Sequence, residues 1–574
     1  MKREILVIFK THLDIGFTDL SQNILNKYLK EYIPNAIKVG YELKESDTPF
    51  VWTVGSWLIW QALKHDSDGT VEQAIRDGIL RWHALPFTTH TELMDTTLFE
   101  YGVGLSKQLD ERFGYHSIGA KMSDVPGHTI GIVPILKKNG VSFLHLGVNP
   151  ATPLPPVPPI FRWRLGNDEI IVMYQGDYGE EIMLGDTVVV FAHTGDNLGP
   201  QNAEQVKEIY KKLSEKYPDG EFKAATIDDL AQCVQTLPNL PIVEDEIGDT
   251  WIHGLGTDPK KVSRFKKVQR HLAALGGTSL DLTDSLLCVP EHTWGKDLKN
   301  HFPYSEFYSH EDILKMAEER ASIEASWQEQ RDYVIKAEEQ FGLTPDYPIS
   351  KPDLSQYNEC EIPTEISFEV SWQLFDASDY ERYKGDYMRC LTWWAIWDFT
   401  KVGLPDYKGG IFKTRVTKAY RKPYEMLYRL EFNGKVAQTY GLPYFYLSVS
   451  KQGVELKWFG KQPSRLPQAF WFKIKGLDEH FEIRKMGIWI QPEKIVGSPL
   501  ISATDFGVRN NEYTIESLDC ALVAPYGRRL LEYGVRTKKQ DLYFNLYNNI
   551  WNTNFPMWYS DDAMFRFLIT KNQK

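Results

Sequence analysis

The sequence predicts a multidomain protein with an α/β region, a helical region and a β region, in that order. Its 574 residues exceed what one hydrophobic core usually supports. Up to about residue 240, short apolar runs alternate with helical patterns, which is typical of a largely parallel sheet with crossover helices. The period is helical over about 255–345, and short strand-like segments dominate from about 350 onward, as in a β-sandwich.

The α/β region contains apolar runs of the length and composition expected for buried strands. The candidates are 5–9, 50–54, 117–122, 143–146, 170–174 and 188–192. A proline-dense segment, 149–161, is predicted to be an extended loop. We expect the segment after it to form a hairpin that turns at Gly166 and Asn167 and decorates the sheet without joining its core.

The helical region is predicted from its caps. Asp258, followed by a proline, begins one helix that ends at Gly276-Gly277. Ser309 opens a capping box for a second helix that continues to about Phe341. Between them lies a conspicuously polar insert, 289–297. In the β region, one helical interruption over 380–399 carries a tryptophan cluster that we expect to pack against a sheet.

Composition excludes several function classes. The formal net charge of −12 argues against binding to nucleic acid, which depends on clustered lysine and arginine. Five scattered cysteines without CxxC spacing argue against a disulfide framework and a thiolate zinc site. The first apolar run is too short for a signal peptide, and no stretch approaches the roughly 20 apolar residues of a membrane span. We therefore expect a cytoplasmic protein without a membrane partner, and the sequence leaves open whether it forms a homo-oligomer.

Acidic and imidazole side chains follow the predicted strands. His12 and Asp14 come where the first strand ends, and because strand residues two apart point the same way, they should emerge together. Asp124 and Asp196 follow two later strands, each before or within a glycine turn. His292, in the polar insert, supplies another imidazole if the insert folds back over the sheet. Ligand sites of α/β folds lie at this carboxyl end of the strands.

Two imidazoles with two carboxylates suit a divalent ion of zinc type, although manganese or cobalt could occupy the same ligand set. Taken alone, His128 is interpreted as a histidine that stabilises a turn, and His193 either orients Asp196 or lies in a loop. Asp196, taken alone, is better interpreted as an ordinary turn aspartate.

Together these motifs resemble the family 38 glycoside hydrolases, the retaining α-mannosidases, and most closely a bacterial branch named DUF5054. The resemblance rests on four segments: His12-Leu13-Asp14-Ile15-Gly16-Phe17, Asp124-Val125-Pro126-Gly127-His128, Gly195-Asp196-Asn197-Leu198-Gly199-Pro200 and the surroundings of His292. It implies that His12, Asp14, Asp124 and His292 bind Zn²⁺. It further implies that Asp124 is the catalytic nucleophile and Asp196 the general acid/base.

The resemblance also implies an architecture and a function. We expect a (β/α)7-type barrel-like catalytic domain over 1–250, a central three-helix bundle over 251–348 that contributes His292, and a C-terminal β-sandwich over 349–574. The implied activity is zinc-dependent retaining hydrolysis of a carbohydrate by double displacement, with the two catalytic carboxyl groups about 5–5.5 Å apart. Two alternatives remain open: a metal-dependent carbohydrate deacetylase, and a non-catalytic sugar-binding protein on the same fold.

Departures from the family lie where a sugar is expected. Glu291-His292-Thr293-Trp294-Gly295 replaces a His-His-Asp-Ala-Ile-Thr-Gly-Thr block, and Phe17 replaces a tryptophan. The residues implied to contact substrate are Phe17, His128, His193 and Trp294. The segment 544–567, rich in asparagine and aromatic residues, could complete a sugar site or form a buried sandwich edge. Specificity for mannose is therefore the least constrained part of the prediction.

Overall fold

A computed structural model describes residues 3–276, 280–477, 480–534 and 541–572. These residues divide into two compact units. The first comprises Met1–Thr91, Leu98–Asp245 and Pro290–Thr293, and the second comprises Glu92–Thr97, Glu246–Val289 and Trp294–Lys574. The segment Pro290–Thr293, which carries His292, thus belongs to the first unit although its flanking residues belong to the second. The three-domain division remains a prediction.

The strands of the first unit are β1 Arg3–His12, β2 Trp52–Gly55, β3 Leu80–His83, β4 Gly119–Asp124, β5 Phe143–Val148, β6 Ile160–Leu165, β7 Asp168–Gln175, β8 Ile182–Leu184, β9 Thr187–Asp196, β10 Gly220–Ala224 and β11 Ile242–Val243. Six of them overlap the predicted apolar runs, although β2 and β4 begin two residues later than predicted, and β3, β8, β10 and β11 were not predicted.

Helices connect most of these strands. They are α1 Ser21–Lys27, continued by a π-helical turn Tyr28–Tyr32, α2 Ile33–Leu43, α3 Ser56–Lys64, α4 Thr70–Arg76, a 3₁₀ turn Thr91–Leu93, α5 Thr96–Phe113, α6 Ile132–Lys138, α7 Ala203–Lys216 and α8 Ile227–Gln235. The alternation of strand and helix is the predicted α/β pattern.

β1 is the strand around which the first unit is arranged. It pairs in parallel with β9 along nearly its whole length, and with β10 and β2 on its other edge. The described strands form one sheet ordered β3-β2-β1-β9-β8, with β10 on β1, and another ordered β11-β6-β7-β5-β4. Ile5, Val7, Ile8 and Phe9 of β1 are fully buried. This explains the uninterrupted apolar run, because a parallel strand is covered on both faces.

The hairpin β6–β7 turns at Gly166 and Asn167 as predicted. The expectation that it only decorates the sheet is wrong, because β7 also pairs in parallel with β5 and is buried from Ile170 to Gln175. The two sheets adjoin where the amide of Ala84, directly after β3, donates to the carbonyl of Gly119 at the start of β4, at 2.9 Å. The (β/α)7-type barrel remains a prediction.

The second unit contains helices and many short strands. The helices are 3₁₀ Thr250–Thr257, α9 Pro259–Leu275, α10 Leu280–Leu287, α11 Leu298–His301, α12 His310–Lys315, α13 Ala317–Gln340, 3₁₀ Leu354–Gln356, α14 Ala377–Tyr387, α15 Trp393–Phe399, α16 Gly434–Tyr440 and 3₁₀ Pro492–Lys494. The strands are β12 Glu246–Gly248, β13 Asn358–Cys360, β14 Phe368–Leu374, β15 Gly410–Lys413, β16 Arg415–Lys422, β17 Glu425–Glu431, β18 Tyr444–Ser450, β19 Gly453–Phe459, β20 Gln468–Ile474, β21 Glu482–Lys485, β22 Ile488–Ile490, β23 Ile495–Gly497, β24 Ser502–Ala503, β25 Gly507–Arg509, β26 Tyr513–Ser517, β27 Leu522–Ala524, β28 Tyr543–Asn548 and β29 Ala563–Lys571.

The helix caps behave as predicted. Asp258 accepts a hydrogen bond from the amide of Lys261, and Gly276 ends α9 in the left-handed conformation; Gly277 lies outside the described residues. Ser309 forms the capping box of α12. The helix expected to run on to Phe341 is interrupted at Met316, whose ψ of 43° is not helical. The helix expected over 380–399 is likewise two helices, α14 and α15.

Two antiparallel sheets make up most of the β region. Within the described residues, their orders are β13-β16-β17-β18-β19-β29-β26-β25-β21-β22 and β15-β14-β20-β28-β27-β24. Aromatic side chains of both, among them Trp372, Trp458, Phe470 and Phe567, share one buried core. The high aromatic content is thus used in packing, while the bundle and sandwich descriptions remain predictions. Within the described ranges, no helix has the length and apolarity to cross a bilayer.

Candidate metal centre and active site

The ends of β1 and β9 lie side by side in the first unit. His12 is paired with Asp196 in the parallel register, after an irregularity between Lys10 and His12. Because both strands run in the same direction, their carboxyl ends deliver these two side chains to one edge of the sheet. The amide of Asn197 donates to the His12 carbonyl at 2.9 Å, which continues the pairing past the strand end.

Four predicted ligands converge in a buried cluster. The Nε2 atom of His12 lies 3.0 Å from His292 Nε2 and 3.1 Å from Asp14 Oδ1. His292 Nε2 lies 2.9 Å from Asp14 Oδ1 and 3.6 Å from Asp124 Oδ2. All four residues are at most 7% exposed. The structure therefore brings together His12, Asp14, Asp124 and His292, which are far apart in the sequence.

These donor atoms fit a divalent cation. Ligands bound at about 2.0–2.1 Å in a tetrahedral zinc site lie about 3.3–3.4 Å from each other, and the separations here are 2.9–3.6 Å. Asp14 Oδ2 is buried without a hydrogen-bond partner, which is costly unless the carboxylate binds a cation. The mixed nitrogen and oxygen donors suit zinc, as the sequence predicts.

Both histidines are held through their second ring nitrogen. Ser123 Oγ lies 2.8 Å from His12 Nδ1, and Glu291 Oε1 lies 2.6 Å from His292 Nδ1. The hydrogen bond with Ser123 fixes the tautomer of His12 in which Nε2 is free to bind a metal. The Glu291 carboxylate, which makes an ion-pair contact without hydrogen-bond geometry, favours the same tautomer of His292. Glu291 is fully buried and also accepts hydrogen bonds from the amide and hydroxyl of Thr293, at 2.9 and 3.1 Å. This contact of Glu291 with His292 was not predicted from the sequence, although an acidic residue next to a predicted histidine ligand was a usable signal.

Asp124 ends β4 with a positive φ of 84°. Such a conformation costs about 1–3 kcal/mol for a residue other than glycine and is maintained only by its surroundings. It also breaks the alternation of the strand, so that Ser123 and Asp124 both reach the metal cluster. The Asp124 Oδ1 atom accepts hydrogen bonds from Asn149 Nδ2 and the Tyr178 hydroxyl, each at 2.8 Å. The carboxylate is thereby fixed in orientation.

Tyr178 touches several members of the site. Its ring stacks on His12 at 4.9 Å between centroids and tilts against His193 at 5.0 Å. Burial, followed by the charges of Asp124, Asp196 and Asp14, raises the pKa of Tyr178 well above its usual value, so it stays a neutral donor. Tyr178 lies in the loop after β7, where no sequence pattern marks it as a site residue.

Asn197 fixes the loop that carries Asp14. Its side-chain oxygen accepts from the amide of Asp14 at 3.1 Å, and its side-chain nitrogen donates to the carbonyls of Asp14 and Gly16 at 3.1 and 3.3 Å. The backbone of Asn197 has a φ of 52°, which asparagine tolerates better than most residues. Asn197 therefore positions the predicted metal ligand Asp14, which lies in the loop after the neighbouring strand β1.

The carboxyl groups of Asp196 and Asp14 differ in pKa. Burial, together with the charge of Asp14, raises the pKa of Asp196 to about 6. For Asp14, burial is outweighed by His12 and His292, which hold its pKa below the usual value. For His292, burial is outweighed by the charges of Glu291 and Asp14, which raise its pKa. One carboxyl group thus favours the protonated form while its neighbour stays ionised.

The four residues predicted to contact substrate lie in different surroundings. Phe17 is half-buried with a φ of 64°, directly after the Asp14 loop. His128 is fully buried, with Thr91 Oγ1 3.2 Å from one nitrogen and the Val125 carbonyl 3.0 Å from the other, which favours its interpretation as a turn-stabilising residue. His193 is half-buried beside Tyr178. Trp294 belongs to the second unit and is 1% exposed.

Trp294 and the asparagine-rich segment are packed inside the second unit. Lys261 Nζ lies 3.8 Å from the Trp294 ring, and the Trp294 amide donates to Asn554 Oδ1 at 2.8 Å. Asn549 donates to the carbonyls of Ser464 and Met557 at 2.9 and 2.8 Å. These contacts favour the buried-edge alternative for the segment 544–567.

Comparison with known proteins agrees with the resemblance seen in the motifs. Residues 255–342 match the family model described as Domain of unknown function (DUF5054). No curated protein matches the sequence at a significant level.

Solved structures resemble the whole chain in fold. An alpha-mannosidase from Enterococcus faecalis V583 superposes with a TM-score of 0.60 at 9% identity, over 100% of this chain and 87% of that one. A protein in the Glycosyl Hydrolase Family 38 from Enterococcus faecalis superposes with a TM-score of 0.55 at 9% identity, over 100% and 86%. The fold is therefore that of the family 38 glycoside hydrolases, as the motifs predicted.

Proposed function

We propose that this protein is a zinc-dependent retaining glycoside hydrolase, similar to the α-mannosidases, that acts on a carbohydrate. One observation carries the proposal: the donor atoms of His12, Asp14, Asp124 and His292 meet in a buried cluster beside Asp196. This cluster lies at the carboxyl ends of strands in a fold shared with family 38 hydrolases. Because fold alone does not define an activity, the proposed activity depends on the residues of the site.

His12, Asp14, Asp124 and His292 would hold the metal. When bound, a divalent ion supplies a Lewis acid that can bind and polarise oxygen atoms of a sugar. The chain contributes the orientation of the two imidazoles through Ser123 and Glu291.

Asp124 is proposed to be the nucleophile. Its carboxylate attacks the anomeric carbon, forming a covalent glycosyl ester as the bond to the leaving oxygen breaks. The hydrogen bonds from Asn149 and Tyr178 to Oδ1 hold the carboxylate in a single orientation. Such positioning lowers the entropy that the reaction must lose in reaching its transition state.

Asp196 is proposed to be the general acid/base. With its pKa raised to about 6 by burial and by Asp14, it donates a proton to the leaving oxygen and then accepts one from the water that hydrolyses the ester. Double displacement requires the carboxyl groups of Asp196 and Asp124 to act about 5–5.5 Å apart. Phe17, three residues after Asp14, and His193, three residues before Asp196, are half-buried and are proposed to contact the sugar.

Activated aryl glycosides, α-mannosides first, test the proposal with the zinc-loaded protein and after removal of metal by a chelator. We expect aglycone release that stops on chelation and returns with zinc, with retention of anomeric configuration. Asp124→Asn should lower turnover by orders of magnitude while the fold remains, since asparagine also tolerates the positive φ. If no glycoside is cleaved at any metal loading, the hydrolase proposal fails.

A metal-dependent carbohydrate deacetylase is the second candidate, because Asp196 also lies within ligand distance of His12 and Asp14. An acid there could serve as the base for a hydrolytic water. Release of acetate from acetylated sugars without cleavage of glycosides would favour this candidate over the first.

A further inference from the structure

A small cavity lies inside the first unit, beneath the metal cluster. Its volume is about 40 Å³, and its walls are the inward faces of β1, β2, β3 and β4. Among its lining residues are Lys10, Thr53, His83, Lys121 and His12. His12 therefore faces the cavity on one side and the metal ligands on the other. We call this space the donor cavity.

Three polar atoms in its walls have no partner. Lys10 Nζ, Thr53 Oγ1 and His83 Nδ1 make no hydrogen bond to any described residue, although these three residues are only 5%, 3% and 8% exposed. Leaving a buried hydrogen-bonding group unpaired costs about 1–3 kcal/mol, and more for a charged group. Three such atoms around one space indicate a missing binding partner.

The other polar groups of the wall are already paired. Lys121 Nζ donates to the Tyr178 carbonyl at 2.7 Å and lies 2.5 Å from His145 Nδ1. Ser123 Oγ is engaged with His12. The available groups are therefore an ammonium, a hydroxyl and an imidazole, all of which can donate a hydrogen bond.

Two lysines, Lys10 and Lys121, line the donor cavity. Of the described residues that line the donor cavity, none is an aspartate or glutamate. Burial, followed by the charges of Lys121 and Lys10, lowers the pKa of His83 to about 3. Asp196 acts on Lys10 electrostatically, yet Lys10 Nζ has no ion-pair or hydrogen-bond partner. The described wall residues thus offer hydrogen-bond donors and no carboxylate that could accept from them.

We propose that the donor cavity binds a small monovalent anion, of which chloride is the simplest, between Lys10 Nζ, Thr53 Oγ1 and His83 Nδ1. An anion accepts hydrogen bonds from all three groups, so that none of them stays unpaired. These three groups are not ligands of the metal centre, although His12 lines the same cavity, and the inference does not depend on the proposed glycosidase activity.

The volume restricts the size of the anion. A water molecule needs about 10–15 Å³ measured in this way, so a space of about 40 Å³ holds three or four atoms of that size. A single halide ion fits this space.

Bromide tests the site directly, because it replaces chloride and scatters anomalously. Crystals of the zinc-loaded protein are soaked in sodium bromide and measured at the bromine absorption edge. We expect an anomalous peak within hydrogen-bonding distance of Lys10 Nζ and Thr53 Oγ1. Water density without an anomalous peak in the donor cavity would overturn the proposal.

Melting temperatures test the site in solution. At constant ionic strength, replacing sodium gluconate by sodium chloride should raise the melting temperature of the wild type, because a ligand of the native state stabilises it. Lys10→Met should lose this chloride response, whereas Lys38→Met, which removes an exposed lysine, should keep it. If Lys10→Met does not fold, Thr53→Val takes its place, with a reduced response expected. A wild type that is insensitive to chloride, or a response that both cavity variants retain in full, would refute the proposal.

Discussion

Replacing Glu291 by glutamine tests how the metal centre is held. Glu291 is fully buried, and its Oε1 lies 2.6 Å from His292 Nδ1. Glutamine keeps the size and can still accept from the Thr293 amide, but it presents an NH₂ group to His292 Nδ1. The imidazole then favours the tautomer with its proton on Nε2, the atom that faces Asp14 and His12. A ligand nitrogen that carries a proton cannot bind a metal.

Loss of such a supporting contact typically weakens metal binding 10- to 100-fold, which corresponds to about 1.4–2.7 kcal/mol. Zinc affinity is measured by competition with a chromophoric chelator at pH 7, and circular dichroism checks that the fold is kept. The matched control is Glu244→Gln, because Glu244 is exposed. If Glu291→Gln binds zinc as tightly as the control, the contact does not support the metal centre and this reasoning is wrong.

Three further predictions follow from the structure. Asp196→Asn should retain zinc but lose activity on substrates that need a protonated leaving group; loss of zinc, measured by elemental analysis, would instead identify Asp196 as a ligand. Because Asp196 acts in its protonated form and its pKa is raised to about 6, kcat/KM should fall as pH rises through about 6 in the wild type, and a rate that is flat from pH 5 to 8 would contradict that role. Lys485, fully buried, lies 2.5 Å from Glu92 and 2.9 Å from Glu246; Lys485→Met should lower the free energy of unfolding by about 3–5 kcal/mol. A decrease below about 1 kcal/mol in urea denaturation would show that the two carboxylates find other partners.

The parts of the fold that could be predicted from the sequence are those determined by local sequence patterns. The apolar run of β1 marks a strand buried on both faces, and Asp258 and Ser309 mark helix starts through their capping chemistry. The break at Met316 was missed because no glycine or proline marks it. The place of β7 in the sheet was missed because a hairpin pattern fixes the pairing with β6 and does not report its pairing with β5.

In the candidate site, likewise, some residues could be predicted from the sequence and others could not. His12, Asp14, Asp124, Asp196 and His292 could be selected because polar residues at strand ends, or in a polar insert, stand out from an apolar pattern. Supporting residues such as Tyr178 and Asn197 could not, because tyrosine and asparagine in loops are common and carry no periodic signal; Glu291, next to His292, is the exception. Asp124 and its neighbour on β4 even violate strand alternation, through a backbone angle that depends on tertiary contacts.

The most direct measurement is a crystal structure of the protein grown with zinc, with data collected on both sides of the zinc absorption edge. The account predicts one strong anomalous peak in the first unit, within about 2.0–2.2 Å of His12 Nε2, His292 Nε2 and a carboxylate oxygen of Asp14 and of Asp124. A first unit without such a peak, or a peak whose ligands exclude His292, would contradict it.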